Sequence, residues 1–286
     1  MNGNEATLVY ADEYSRVAEA YDRVVVPRFE PIARAVVELV DPKPNELVLD
    51  LATGTGLLAR LLAPLVKPQS VVAIDLADQA ISVGSYRAGE AGIHNIRFEI
   101  MDARNIVYRG KLFDAVGSNL GIPNLGYDRA FAEVLRVLKP DGRFVFSEWD
   151  ARLPEGDVAF YELLSKHATT TPSKELATVR QAVRLNRSDP DARALNDPGA
   201  VQEKLRAAGF SSTQVVSRTF PARFAGPEDL VSFLTAWGWD EREMAEMPPL
   251  SRTAFDAEFA ARLRPRLGPE GLIEEFRIHL YVARPE

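Results

Sequence analysis

The 286-residue chain contains no cysteine. That absence removes disulfides, thiolate nucleophiles, cysteine-ligated zinc and iron–sulfur clusters together. Any arsenic chemistry that depends on protein thiols goes with them. Long apolar runs are missing too, and no stretch is long enough to span a bilayer. The opening segment, MNGNEATLVYADEYSRVAEAYD, carries acids where a secretory leader has basic residues before an apolar run, so a cytoplasmic protein is expected. A surplus of basic residues is likewise lacking. The formal net charge is −7, which argues against a nucleic-acid partner, because gripping a phosphate backbone calls for a basic face. What remains is ordinary for a water-soluble globular protein: 26% charged and 46% hydrophobic residues. The length suffices for one elaborated domain or a domain with a cap.

Short β-branched runs alternate with helical patterns. In PRFEPIARAVVELV, residues Phe29, Ile32, Val36, Val37 and Val40 recur at helical spacing, and Pro42 and Pro44 close the helix. Strands are expected at 47–52, 70–77, 96–101, 112–120 and 142–149. Helices are expected between them, including LLARLLAPLV, a helix ending at Gly92 and one stopped by Pro140. Strand and helix in this alternation imply right-handed crossovers and a parallel sheet with helices on both faces. Beyond Asp150 the rhythm changes. Residues 151–197 read as polar and helical, broken by prolines. A helix ending at Gly209 then precedes a strand at 212–220, and a second helical stretch, 227–266, precedes the final strand LIEEFRIHLYVARP.

The stretch LVLDLATGTGLLARLL forms a buried strand, a tight turn and a helix, and the turn is built to hold a ligand. Gly54, Gly56 and Ala59 satisfy the loose dinucleotide pattern G-x-G-x-x-G/A, which alone is weak. Asp50, immediately ahead of the loop, shifts the reading: a pyrophosphate there meets an unneutralised carboxylate, whereas an ammonium group is welcome. Asp75 ends the second strand at the place where such folds bind ligands, and a carboxylate there can accept from both ribose hydroxyls. Asp102, at the tip of the third, suits an adenine exocyclic amine, or alternatively caps a following helix.

Taken together, VLDLATGTGLLA, AIDLA, FEIMDARNI, FDAVGSNLGIPNL and VLKPDGRFVFSEW resemble the class I S-adenosylmethionine-dependent methyltransferases. The small-molecule branch of ubiquinone and menaquinone biosynthesis methyltransferases is the most similar in character. The resemblance implies an α/β, Rossmann-like class I methyltransferase sheet, mostly parallel with an antiparallel last strand, carrying helical cap insertions. It implies S-adenosyl-L-methionine as cofactor. Asp50 would lie near the methionine amino group, Gly54 and Gly56 beneath the cofactor, Asp75 at the ribose and Asp102 at the adenine. Asn119 and Leu120 would line the methionine side, and Ala52, Leu76 and Ala103 are further cofactor-binding candidates. The opening helix would fold over the cofactor, with Tyr14 and Tyr21, seven apart and so on one helix face, closing the lid.

On this reading the chain divides into an N-terminal helical lid (1–44), a cofactor-binding core (45–150) and a helical cap insert (151–197). A core helix and strand (198–226), a second helical insert (227–266) and the final core strand (267–286) complete it. The expected reaction is methyl transfer to a small, partly apolar metabolite, with the O, C or N acceptor open and catalysis mainly by positioning. Segment SNLGIPNL lacks the proline-rich aromatic turn of amide and nucleobase N-methylation in this superfamily, so those substrates are set aside. No loop gathers the acids that metal-dependent catechol chemistry wants, so no metal is expected. Candidate bases are His167 and Glu148. Candidate acceptor contacts are Trp149, Trp237, Trp239 and His279, the last through a polar strand face shared with Arg277 and Tyr281. A monomer or homodimer is expected. Two rivals stand beside this reading: a nicotinamide-dependent oxidoreductase, and a non-catalytic S-adenosylmethionine-binding regulatory subunit.

Overall fold

The computed structural model describes residues 1–285, the side chain of Asp191 excepted. Its centre is one seven-stranded sheet in the order β3-β2-β1-β4-β5-β7-β6. The strands are β1 (Val48–Leu51), β2 (Val71–Asp75), β3 (Ile96–Ile100), β4 (Phe113–Asn119), β5 (Leu138–Trp149), β6 (Ser212–Phe224) and β7 (Leu272–Arg284). The first five pair in parallel. β7 runs antiparallel to both β5 and β6 and lies between them, so the expected sheet type is the observed one.

Central strands buried on both sides carry apolar residues to both faces, as parallel sheets require. On one face Val48, Ala73, Ala115, Val145 and Leu280 meet α2 (Val26–Val40) and α3 (Leu57–Val66). On the other, Leu49, Ile74, Val116, Phe146 and Tyr281 meet α5 (Tyr127–Val137) and α9 (Pro198–Ala208). The first helix, α1 (Gly3–Val24), is a single 22-residue helix started by a capping box in which Asn2 and Glu5 satisfy each other's backbone amides. α4 (Asp78–Glu90) follows β2.

The two helical stretches after Asp150 are present as α6 (Glu155–His167), α7 (Lys174–Ser188) and α8 (Pro190–Ala194), and as α10 (Pro227–Thr235), α11 (Trp239–Ala245) and α12 (Pro249–Leu263). Two boundaries differ from the sequence expectation by four residues. β5 starts at Leu138 rather than 142: Leu138 pairs with Phe113, and after a register shift Arg143 pairs with Ala115, so Pro140 sits in the bulge between. β6 continues four residues past Phe220, through Pro221, because it is the edge strand, where a missing N–H leaves no ladder partner wanting.

Candidate functional site

Because the strand order runs β3-β2-β1-β4-β5, the residues at the carboxyl ends of those strands stand in a row: Asp102, Asp75, Asp50, Asn119 and Glu148. At the usual spacing between strands the row spans roughly 19 Å. One cavity of about 380 Å³ runs above it, roofed by α1, the 120–125 loop and the tryptophans that bracket the start of α11.

The turn after β1 explains its glycines. Ala52 and Gly54 take positive φ, 52° and 54°, and Gly56 reaches 79° at the entry to α3. A side chain on Gly56 would begin 2.8 Å from the Phe98 ring, so this glycine seats the helix against β3 and does not itself border the cavity. Asp50 is buried. Its Oδ2 accepts from the Thr53 hydroxyl at 2.5 Å and the Ala59 amide at 2.8 Å, whereas Oδ1 is buried without a partner. Burial pushes its pKa up to about 7 against those bonds, with the Asp75 charge adding to the rise.

Asp75 accepts the Gly54 amide at 2.8 Å on Oδ2 and the Ala77 amide at 2.9 Å on Oδ1. Burial still raises it above the ordinary carboxylate range. Asp102 behaves oppositely. Burial works against its charge, but the side chain, backbone amide and charge of Arg104 outweigh that and lower its pKa. No helix follows Asp102, so it is not a helix cap.

The far end of the cavity is aromatic. Phe29 packs edge-on against Trp149 and Trp237, with ring centroids 5.8 and 5.7 Å apart. Tyr21 meets Trp237 at 6.2 Å, and Tyr14 and Tyr10 meet Trp239 at 5.6 and 5.4 Å. Glu148 borders the same cavity, buried, with its Oε1 accepting the Trp149 amide at 3.0 Å. Burial pushes it up to about 8, and none of the described Lys, Arg or His side chains pairs with it. Among the described residues lining the cavity there are four carboxyl side chains and no lysine, arginine or histidine.

Of the residues singled out from sequence, Tyr14, Tyr21, Asp50, Ala52, Gly54 and Asp75 come together here. So do Leu76, Asp102, Ala103, Asn119, Leu120, Glu148, Trp149, Trp237 and Trp239. His279 does not. It lies on the α5–α9 face with Tyr281, its Nδ1 2.8 Å from Ser217 Oγ and its Nε2 3.3 Å from Asp150. His279 therefore finds its partners in Ser217 of β6 and in Asp150, not in the cavity. His167 is also elsewhere: it ends α6 beside Phe255 of α12, 3.3 Å from Glu258. Tyr10, Phe29 and Asn186 line the cavity without having been picked out for it. Phe29 carries an ordinary core signal in an amphipathic helix, and nothing local distinguishes it from a packing residue.

A family model described as a methyltransferase domain matches residues 48–142. A demethylmenaquinone methyltransferase from Clavibacter sepedonicus is 32% identical over 70% of this chain and 82% of its own length. The chain belongs to the class I S-adenosylmethionine-dependent methyltransferases. A nocamycin O-methyltransferase from Saccharothrix syringae is 28% identical over 79% of each chain. The crystal structure of YcgJ from Bacillus subtilis shares the fold, with a TM-score of 0.56 and 19% identity over 89% of this chain and 98% of that one. The nicotinamide and non-catalytic alternatives are not favoured by these matches.

The residues of this methyltransferase fit its cofactor. The unpartnered Asp50 Oδ1 offers a buried acceptor to an ammonium group. Beyond Gly54 and its two chain neighbours, nothing lies within 4 Å of the point where a side chain on Gly54 would start, so the backbone there is open to a close ligand. The carboxylate-rich, cation-free lining suits a positively charged guest without phosphate. None of the described helices is long and apolar enough to cross a membrane.

Proposed function

We propose that this methyltransferase acts on a small, partly apolar acceptor bearing an ionisable hydroxyl, held among Tyr21, Phe29, Trp149 and Trp237, and that Glu148 removes the hydroxyl proton. The observation that carries this reading is the placement of Glu148. It is the one carboxyl group among the described lining residues left over once Asp50, Asp75 and Asp102 are given to the cofactor, and in the chain it directly precedes Trp149 of the aromatic wall.

S-adenosylmethionine, when bound, supplies a methyl group made electrophilic by the sulfonium. The chain's own residues do the rest. Asp50 holds the ammonium through Oδ1, Asp75 accepts from the ribose, and Asp102 accepts from the adenine amine. Tyr14 and Tyr21 close the lid as neutral phenols, since burial raises both above the ordinary tyrosine value. The aromatic walls orient the acceptor and keep water out, and placement at near-attack distance accounts for about 7–11 kcal/mol of barrier lowering. The O–H bond breaks as its proton passes to the Glu148 carboxylate. The acceptor oxygen keeps the electron pair, and a bound S-adenosylmethionine would give that oxygen its methyl group and leave as the neutral thioether.

A carboxyl group raised to about 8 is matched to phenols and enols far better than an ordinary glutamate. The absence of a lining cation among the described residues leaves carboxylate and phosphate acceptors without a counter-charge. A methyl-transfer assay over phenols, hydroxyquinones, amines and carboxylic acids tests the proposal. Turnover of neutral hydroxyl compounds supports it, and turnover confined to amines or carboxylates overturns it.

A further inference from the structure

One cation stands beside the cavity with no part in the chemistry above. The Arg104 side chain is 11% exposed. Its Nε lies 3.0 and 3.2 Å from the two carboxylate oxygens of Asp102, and Nη2 donates to Oδ2 at 2.8 Å. Its backbone amide donates to Oδ1 at 2.8 Å. The other arm of the guanidinium points away: Nη1 donates to Thr7 Oγ1 on α1 at 3.1 Å and approaches the Leu125 carbonyl at 3.4 Å. The Thr7 hydroxyl donates its own proton to the Gly3 carbonyl at 2.9 Å, which leaves its oxygen free to accept from Arg104. Gly126 leaves room for the guanidinium stem, since a side chain there would begin 3.3 Å from Arg104 Cδ. Thr7, Asp102 and Leu125 all line the cavity.

We infer that Arg104 is a positioning residue that couples recognition of adenosine to closure of α1. The inference rests on the reading of Asp102 as the adenine contact. A guanidinium is planar and its donors are fixed relative to one another, so an arm held by one partner dictates where the other arm points. A ligand amine that donates to Asp102 fixes the carboxylate, and through it the plane of Arg104. The far arm is then aimed at Thr7. The contact with Thr7 exists only while α1 lies over the cavity, so a ligand that steadies Arg104 favours the closed lid over the open one, which is the differential interaction that a population shift needs. The same guanidinium steadies the 120–126 loop through Leu125. One partly buried cation thus ties the adenine end, the lid and the loop beside the acceptor.

Hydrogen exchange of the α1 backbone, read by mass spectrometry with and without saturating adenosine, tests this apart from turnover. In the wild-type chain, adenosine should slow exchange over residues 3–14 by about tenfold, the scale of one charge-assisted hydrogen bond. Thr7→Val cuts the tie and leaves the Asp102–Arg104 pair intact. It should bind adenosine at most about tenfold more weakly than wild type, the reciprocal of the coupling that is lost, yet show little of the added protection. Arg104→Lys, a point charge without the fork, should also lose the protection. Full protection in Thr7→Val overturns the coupling, as does adenosine binding without protection in the wild type. No binding of adenosine at all overturns the adenine reading of Asp102, and the coupling falls with it.

Discussion

The Gly54 amide donates to the Asp75 carboxylate across 2.8 Å, joining the turn after β1 to the tip of β2. With the Ala77 amide on the other oxygen, Asp75 shapes the loop as well as facing the cavity. Asp75→Asn turns one of these acceptors into a donor facing a backbone N–H. One charge-assisted bond contributes about 1.5–3 kcal/mol, so the affinity for S-adenosylhomocysteine should fall about 10- to 150-fold. Calorimetric titration measures it, and an unchanged affinity removes Asp75 from the site.

Asp50 gives a pH dependence whose sign follows from its environment. Burial raises its pKa to about 7, so the free protein holds it increasingly neutral as pH falls below that value. An ammonium guest needs the carboxylate. Cofactor affinity should therefore weaken on acidification below about pH 7, approaching tenfold per unit, and level off above it. Asp50→Asn should bind weakly with no such slope between about pH 5.5 and 7.5. A flat wild-type profile denies Asp50 the role.

For Glu148 the slope runs the same way at higher pH. The base form is the active one and its pKa is about 8, so kcat/KM should rise towards a plateau above that value. Glu148→Gln should lower kcat by about 10²- to 10⁴-fold, the usual worth of a positioned base, with S-adenosylhomocysteine affinity preserved. Retained kcat, or a lost cofactor affinity, counts against the assignment.

Trp237 and His279 make a contrasting pair. Trp237 shares the aromatic wall with Phe29 and Trp149, and Trp237→Leu should raise the acceptor KM by about tenfold through lost apolar contact. His279 is satisfied by Ser217 and Asp150 outside the cavity. His279→Asn should leave kcat/KM within about twofold and lower only the melting temperature. A large activity loss in His279→Asn returns that strand face to the site.

Gly121 offers a test of packing between the two loops. A side chain there would begin 2.8 Å from both the Cβ and the carbonyl oxygen of Ala52. Gly121→Ala should destabilise the fold by about 1–3 kcal/mol, as overpacking usually does. Denaturant unfolding reads it directly.

The acids at the strand tips were legible because local sequence decides them. A strand that ends in Asp50 or Asp75 ahead of a helix puts that residue at the carboxyl edge whatever the rest of the chain does. The helical stretches on either side of β6 were legible from periodicity for the same reason. Contacts between distant segments left no such mark. Glu13, buried at 3% exposure, is gripped by Arg16 three residues on and by Arg242 from α11, and nothing in either segment announces the meeting. His279 misled because alternation shows that a polar face exists but not what meets it; β6 supplies Ser217 directly opposite. Arg104 was passed over because an arginine beside an aspartate reads as a surface pair, and only the packing of α1 gives its second arm a partner.

β6 and β7 pair over their whole length, with Phe224 opposite Leu272 where the two strands open into residues 225–271. The entry and exit of that segment are therefore pinned side by side, like the two ends of a handle on one plate. The segment carries Trp237 and Trp239, and through them it reaches Tyr14 and Tyr21 of α1. A fold wired in this way lets one closed loop of chain be exchanged without disturbing the sheet, provided that the new loop still meets α1.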